Sequence, residues 1–362
     1  MAEKLTFQPV KRFPLNSLNF VIMKTYPCFC SIIPPHLVDK LKEEGLDTTA
    51  DTQKLNRSFR QRRSLKLQFL TPLALTAPGL ANRLVYDSKT TQNQRLSLKR
   101  REGNDPTPDD SINRAFDYAG IVRAYYRTVL NWNSVDNSGS DLIMNVHFGK
   151  KYSNAFWDGD EMTFGDGDNE VFTDFTKSLD VTAHEMTHGV VQFTAGLVYR
   201  AQPGALNEHY ADVFGSAIKQ YYRQQTAATA DWLIGDEIMA PALQGMAIRS
   251  MKAPGTAYNH ALLGRDPQPA HMDNYYNGSR DNFGVHINSG IPNKVFYLVS
   301  IGIETEKAAV LWFETLKTLK PSTSFKGFKS AIKRTATKLI RTHILPAETK
   351  KTVEDAFAAV GL

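Results

Sequence analysis

One pentapeptide constrains this chain more than any other feature. His184-Glu185-Met186-Thr187-His188 fits the pattern H-E-x-x-H. On a helix, residues four apart lie one turn apart on the same face. Both imidazoles can then reach one Zn²⁺, with Glu185 beside them to act on water that the metal activates. Histidines at this spacing also occur as ordinary hydrogen-bonded core or surface residues, and the pattern alone does not separate the cases. The flanks do. Val181-Thr182-Ala183 precedes the motif and Gly189-Val190-Val191 follows it, so the helix reads as buried, and exposed histidines need no such flanks. Further on comes Asn207-Glu208-His209-Tyr210-Ala211-Asp212, read as a second helix starting at Glu208, with Asp212 one turn on. A catalytic zinc takes three protein ligands and keeps one position open, and His184, His188 and Glu208 supply that set. Asp212 and Asn207 have the right chemistry to hold the two imidazoles through their other ring nitrogens.

Around these helices the pattern is mixed. Residues 67–105 and Leu142 to Gly149 alternate apolar and polar, as strands do. Ser111 to Leu130 carries Ile112, Ala115, Phe116, Ala119, Val122, Tyr125 and Val129 at helical spacing. Residues 158–170 read as a loop rich in Asp and Gly. Helical patterns dominate from residue 204 to Leu362, with an irregular stretch at 252–293. The fold class read from this is α+β, a mixed first half and a mainly helical second half.

With these residues in place the sequence resembles the thermolysin-like (M4) metallopeptidases over about residues 80–362. Five segments carry the resemblance in order: Asn154-Ala155-Phe156-Trp157, the His184–His188 helix with Tyr199 after it, Asn207-Glu208 to Asp212, Ile248-Arg249-Ser250-Met251, and Asp281-Asn282-Phe283-Gly284-Val285-His286. The resemblance implies two lobes, a β-rich N-terminal one (71–196) and a mainly α-helical C-terminal one (197–362), with the active-site helix between them. It implies that His184, His188 and Glu208 bind one catalytic zinc and that Glu185 is the general base. Tyr199 and His286 would hydrogen-bond the oxyanion, with Asp281 orienting His286. Asn154 and Ala155 would hold the substrate backbone, and Arg249 a carbonyl on the primed side. Phe172, Phe175, Val181, Ile238 and Ile248 would wall an apolar pocket for the residue after the scissile bond. The activity implied is that of a zinc-dependent neutral endopeptidase acting on peptides or proteins. Where the resemblance implies a calcium-binding carboxylate, this chain has Lys219. An ammonium there would repel Ca²⁺, so the expectation is no calcium, with Lys219 paired to Asp180, Asp231 and Asp236. Asp166 to Val171 lacks the glycine and spacing of an EF-hand loop and reads as a turn.

The segment before the lobes looks like the short propeptide of the protealysin-like subgroup, through Pro34-Pro35-His36-Leu37. There the Pro-Pro motif blocks the primed side of the cleft. Pro34, Pro35 and Leu37 are therefore the expected inhibitory contacts, within an autoinhibitory segment and linker at 23–70. The basic run Arg57 to Lys66 is the expected cutting region. Residues 1–22 read as an extension, with Met23 as an alternative start. They lack the apolar run of a signal peptide, so the expectation is cytoplasmic synthesis, with any secretion by a non-Sec route. No stretch is long and apolar enough to span a membrane.

Of 362 residues only two are cysteines, Cys28 and Cys30. A bridge between residues so close would be strained, so they read as small buried residues, with zinc ligation by one of them as an alternative. The net charge is +6 and the pI about 9.1. That leaves a second reading open: a basic protein binding nucleic acid or a membrane surface through residues 57–66, 99–101 and Lys326, Lys329, Lys333 and Lys338, around a non-catalytic zinc site. The acidic residues from Asp158 to Asp180 beside the cleft argue against a basic groove, so no nucleic-acid partner is expected.

Overall fold

The computed structural model describes residues 30–46, 52, 54–56 and 81–362. The expected extension, most of the basic linker and Cys28 lie outside them.

The first lobe is built on a six-stranded mixed sheet. Its strands are β1 (Cys30–Ser31), β2 (Arg83–Asp87), β3 (Ser97–Arg101), β4 (Leu142–Val146), β5 (Ala155–Trp157) and β6 (Met162–Phe164), in the order β1-β5-β6-β4-β2-β3. β6 lies inside the stretch read as pure loop. Three residues flanked by Asp and Gly are too few to show an alternating pattern, and the partners β4 and β5 make the strand. Helix α1 (Pro35–Glu43) follows β1 directly. Pro35 takes its first turn, where a missing N–H costs nothing, and Leu37, Val38 and Leu41 form its buried stripe. Burying three such side chains contributes roughly 5–8 kcal/mol before ordering entropy. Helix α2 (Asp110–Thr128) packs on the sheet, and the Asp109 carboxylate caps it by accepting from the amides of Ser111 and Ile112.

Helix α3 (Leu179–Phe193) carries the H-E-x-x-H motif and is buried over Leu179 to Gln192. A Cβ on Gly189 would sit 2.9 Å from Val135 and 3.0 Å from Trp157, so the glycine lets the helix press against β5. Helix α4 (Ala201–Tyr222) runs against α3. It starts well before Glu208, which therefore lies inside the helix and not at its start. Pro203 and Gly204 masked the first turns in the sequence, yet both are tolerated that early. Gly204 is required there, because a Cβ would lie 2.5 Å from Val285. The second lobe continues with α5 (Arg280–Asn288), α6 (Gly290–Ile303), α7 (Thr305–Leu316), α8 (Phe325–Arg341) and α9 (Thr349–Ala358). Its core is aromatic: Trp312 meets Phe296 at 5.0 Å and Phe328 at 6.0 Å between ring centroids. Among the described residues no helix is long and apolar enough to cross a membrane.

Candidate active site

Helix α3 puts His184 and His188 on one face, with their Nε2 atoms 3.0 Å apart. Each ring is held through Nδ1: His184 donates to Asp212 Oδ1 at 2.9 Å and His188 to Asn207 Oδ1 at 2.8 Å. Both acceptors come from α4. Because each Nδ1 carries a proton, the two Nε2 atoms that face each other are the ones left to take a cation, and Asp212 and Glu208 raise the His184 pKa to about 9 where no metal supplies it. The Glu208 carboxylate stands 3.5 and 3.6 Å from them. Its Oε2 is buried and has no hydrogen-bond partner. Three electron-rich atoms converging in a dry site repel one another unless a cation lies among them. Two neutral imidazoles and one carboxylate are the donor set of a catalytic zinc. The residues therefore fit this metal.

Glu185 follows His184 on the same turn. Both its carboxylate oxygens are buried without a partner, and burial pushes its carboxyl up to about 8. A carboxyl with its proton affinity raised this far suits taking a proton from water and giving it back. Tyr199, ahead of α4, donates its hydroxyl to Glu208 and lies 3.2 Å from His286 Nε2.

His286 is aimed by an unusual turn. Asp281, Asn282, Phe283 and Gly284 all take left-handed backbone angles, with φ of 56°, 48°, 66° and 78°. For Phe283 this costs roughly 1–2 kcal/mol, and less for Asp281 and Asn282, whose short polar side chains visit this region. The turn folds the Asp281 carboxylate back, so that Oδ1 accepts from His286 Nδ1 at 2.6 Å and Oδ2 from the His286 amide at 2.7 Å. Burial opposes a charged ring, but Glu208 and Asp281 hold the His286 pKa above its ordinary value. The ring can therefore donate from Nε2 as well, and its Nε2 meets the Ser31 carbonyl oxygen at 3.0 Å.

Residues 30–37 fill the cleft. β1 pairs antiparallel with β5, Cys30 opposite Trp157 and Ser31 opposite Phe156. The Ile32 amide donates to Ala155 O at 3.1 Å and the Ile33 amide to Asn154 Oδ1 at 3.0 Å. Arg249 Nη1 donates to Ile32 O at 2.9 Å, while its Nε and Nη2 clasp Asp212. Pro34 and Leu37 are buried, Pro35 and His36 half-buried. His36 Nε2 meets the Tyr258 hydroxyl at 3.1 Å. Cys30 has a ligand atom within 4.8 Å of those of His188 and Glu208. Cys30 is also disulfide-bonded, which corrects the reading of two unbridged cysteines. The correction bears on ligation, since the thiolate is the form that binds zinc.

A family model described as "Thermolysin metallopeptidase, catalytic domain" matches residues 84–192, and one described as "Thermolysin metallopeptidase, alpha-helical domain" matches residues 195–362. The chain belongs to the thermolysin family of metallopeptidases. It is 43% identical over 319 residues to an "Extracellular metalloprotease" of Pectobacterium carotovorum subsp. carotovorum, covering 84% of this chain and 90% of that one. It is 41% identical over 310 residues to "Protease PrtS" of Photorhabdus sp. (strain Az29), covering 82% and 84%. Among solved structures, the "Precursor of Protealysin" from Serratia proteamaculans superposes with a TM-score of 0.81 at 38% identity, covering 92% of this chain and 99% of that one. This thermolysin-family chain is a metalloendopeptidase of the protealysin type, and its family implies a zinc cofactor.

Phe172, Phe175, Val181, Ile238 and Ile248 are all buried in the hydrophobic core, as Ile32 is. Lys219 Nζ bonds Asp236 at 2.7 Å and Asp180 at 3.0 Å, with Asp231 at 3.5 Å. Burial would depress the ammonium, but the carboxylates raise its pKa above the ordinary lysine value. Asp168 accepts from the amides of Glu170, Val171 and Phe172, an ordinary turn. The cluster at 99–101 is not a free basic face, since Arg100 pairs with Asp117 and Lys99 with Asp87. Lys333 likewise pairs with Glu354. Two supporting residues escaped the sequence. Asn293 donates to Asp212 Oδ2 at 2.8 Å, and Gln268 donates to the His286 carbonyl at 2.7 Å. A lone amide carries no spacing signal.

Proposed function

We propose that this metalloendopeptidase is made as an autoinhibited precursor and, once processed, cleaves peptide bonds that precede an apolar residue. The observation that carries the reading is the cleft itself. A buried His184, His188 and Glu208 set faces a carbonyl from the chain's own N-terminal segment, held by His286. In this reading 23–70 is the removable segment with its linker, 1–22 an extension, and 71–196 and 197–362 the two lobes.

His184, His188 and Glu208 hold the zinc, which when bound polarises the scissile carbonyl and lowers the pKa of water toward about 7. Asp212 and Asn207 fix the two imidazoles so that their Nε2 lone pairs stay aimed. Glu185 takes the proton of the attacking water and delivers it to the leaving amine. Tyr199 and His286 donate to the carbonyl oxygen as negative charge grows there, and Asp281 keeps His286 protonated and oriented. Losing one such donor typically lowers the rate by about 10²–10³. Asn154, Ala155 and Arg249 align the substrate backbone. Phe172, Phe175, Val181, Ile238 and Ile248 receive the side chain after the scissile bond. Lys219 takes the place of a calcium ion, neutralising Asp180, Asp231 and Asp236 from inside the fold.

The test is to purify the processed protein, count its zinc and assay unfolded casein. Wild type should hold one zinc and cut casein, and Glu185→Gln should hold the zinc without cutting. A zinc-loaded wild type that leaves casein intact would sink the reading.

A further inference from the structure

The segment in the cleft does more than cover it. Ser31 O takes the hydrogen bond of His286 Nε2 at 3.0 Å, with the Tyr199 hydroxyl 3.2 Å from the same nitrogen. That is the place of the carbonyl under attack in the proposed mechanism. The next carbonyl, Ile32 O, receives Arg249 Nη1 at 2.9 Å, the contact assigned to a carbonyl on the primed side. The amides of Ile32 and Ile33 are taken by Ala155 O and Asn154 Oδ1. A chain running the other way would turn its N–H groups and carbonyls out of step with these partners. Ile32 is 0% exposed, within the hydrophobic core that also holds Phe172, Phe175, Val181, Ile238 and Ile248. Beyond it Pro34 and Pro35 lead into α1, which is anchored by Leu37, Val38 and Leu41.

We propose that residues 30–34 lie in the cleft in the direction and register of a substrate, with Ser31–Ile32 held as the scissile bond and Ile32 as the residue that selects it. The proposal rests on the protease reading above and adds to it a bond and a recognition sequence, a small residue followed by Ile-Ile-Pro. Hydrolysis there joins the water oxygen to the Ser31 carbonyl carbon and breaks the C–N bond. It leaves a carboxylate on Ser31 and an amine on Ile32, whose nitrogen takes the proton. In the precursor the primed side stays tethered through α1, so a cut end remains beside its partner. A free peptide has no such tether.

The probe is a capped synthetic peptide of residues 27–37 with Cys28→Ser and Cys30→Ser, so that no sulfur competes for the metal. Processed enzyme that cuts casein is incubated with it, and the products are mapped by mass. The expected result is one cut, between Ser31 and Ile32, slowed at least about 100-fold by Ile32→Asp, which puts a carboxylate into the apolar pocket. A cut at another bond, no cut, or equal rates for both peptides overturns the register while casein hydrolysis keeps the protease reading intact. If casein is not cut either, the protease reading fails by itself, and amide hydrogen exchange on the full-length Glu185→Gln precursor still decides the register. The Ile32 and Ile33 amides should be protected, and Asn154→Ala should release Ile33 by about tenfold or more with Ile32 less affected. Free exchange at both amides contradicts the proposal.

Discussion

At the scale of single residues the site is governed by where protons sit. Asp212 and Asn207 keep a hydrogen on each Nδ1, and this leaves both Nε2 atoms as ligands. Asp212→Ala should therefore weaken zinc about 10–100-fold, read by competition with a chromophoric chelator. Tyr199→Phe keeps the ring but removes a donor, so kcat should fall about 10²-fold with KM little changed. His36 gives a pH signature. Burial, with His286 and Arg249 nearby and only Asp281 opposing, lowers its pKa to about 4 from 6.5. Its Nδ1 is buried without a partner and Tyr258 faces Nε2. A folded-state pKa below the free value means that docking is strongest above pH 6.5. Docking should weaken as pH falls from 6.5 toward 4, by up to about two orders of magnitude. Hydrogen exchange of residues 30–43 in a Glu185→Gln precursor should show this loss, and His36→Leu should remove the step. At this scale the H-E-x-x-H motif was legible because the i, i+4 spacing maps directly onto one helix face. The left-handed turn that aims His286 was not, since only Gly284 of its four residues is at ease there.

At the scale of elements, α3 and α4 form one unit joined at two places. One is the ligand site near their middle. The other is Lys219, near the end of α4, among Asp180 at the start of α3, Asp231 and Asp236. Removing the ammonium leaves the buried Asp180 carboxylate uncompensated, so Lys219→Met should cost about 3–5 kcal/mol, read as a lower urea midpoint. Added Ca²⁺ should not change the wild-type Tm, and a rise would contradict the exchange of ion for lysine. The charge logic at Lys219 could be read from the sequence, because one residue of the wrong sign in a carboxylate cluster is conspicuous. The start of α4 at Ala201 could not, because Pro203 and Gly204 hide a first turn that tertiary packing accepts. Strand β1 left no trace either. Two residues have no period, and its pairing is supplied by the open edge of β5.

At the scale of the molecule, the sheet of the first lobe is completed by a strand from the N-terminal segment. The chain thus closes its own cleft with backbone bonds to Ala155, Asn154, Arg249 and His286. The α+β plan and most site residues were legible because ligands and apolar periodicity are local signals. The docking of Ser31 and Ile32 was not, because it depends on residues more than 100 positions away. The proposed enzyme is self-inhibited and frees itself by its own chemistry. The most direct test is to incubate purified full-length protein, wild type beside Glu185→Ala at equal zinc content, and map N-termini by mass over time. Wild type alone should acquire a new N-terminus in or near the basic run Arg57 to Lys66, and casein hydrolysis should rise with it. Loss of the segment at the same rate in both proteins, or a zinc-loaded wild type that stays whole and inactive, would contradict it.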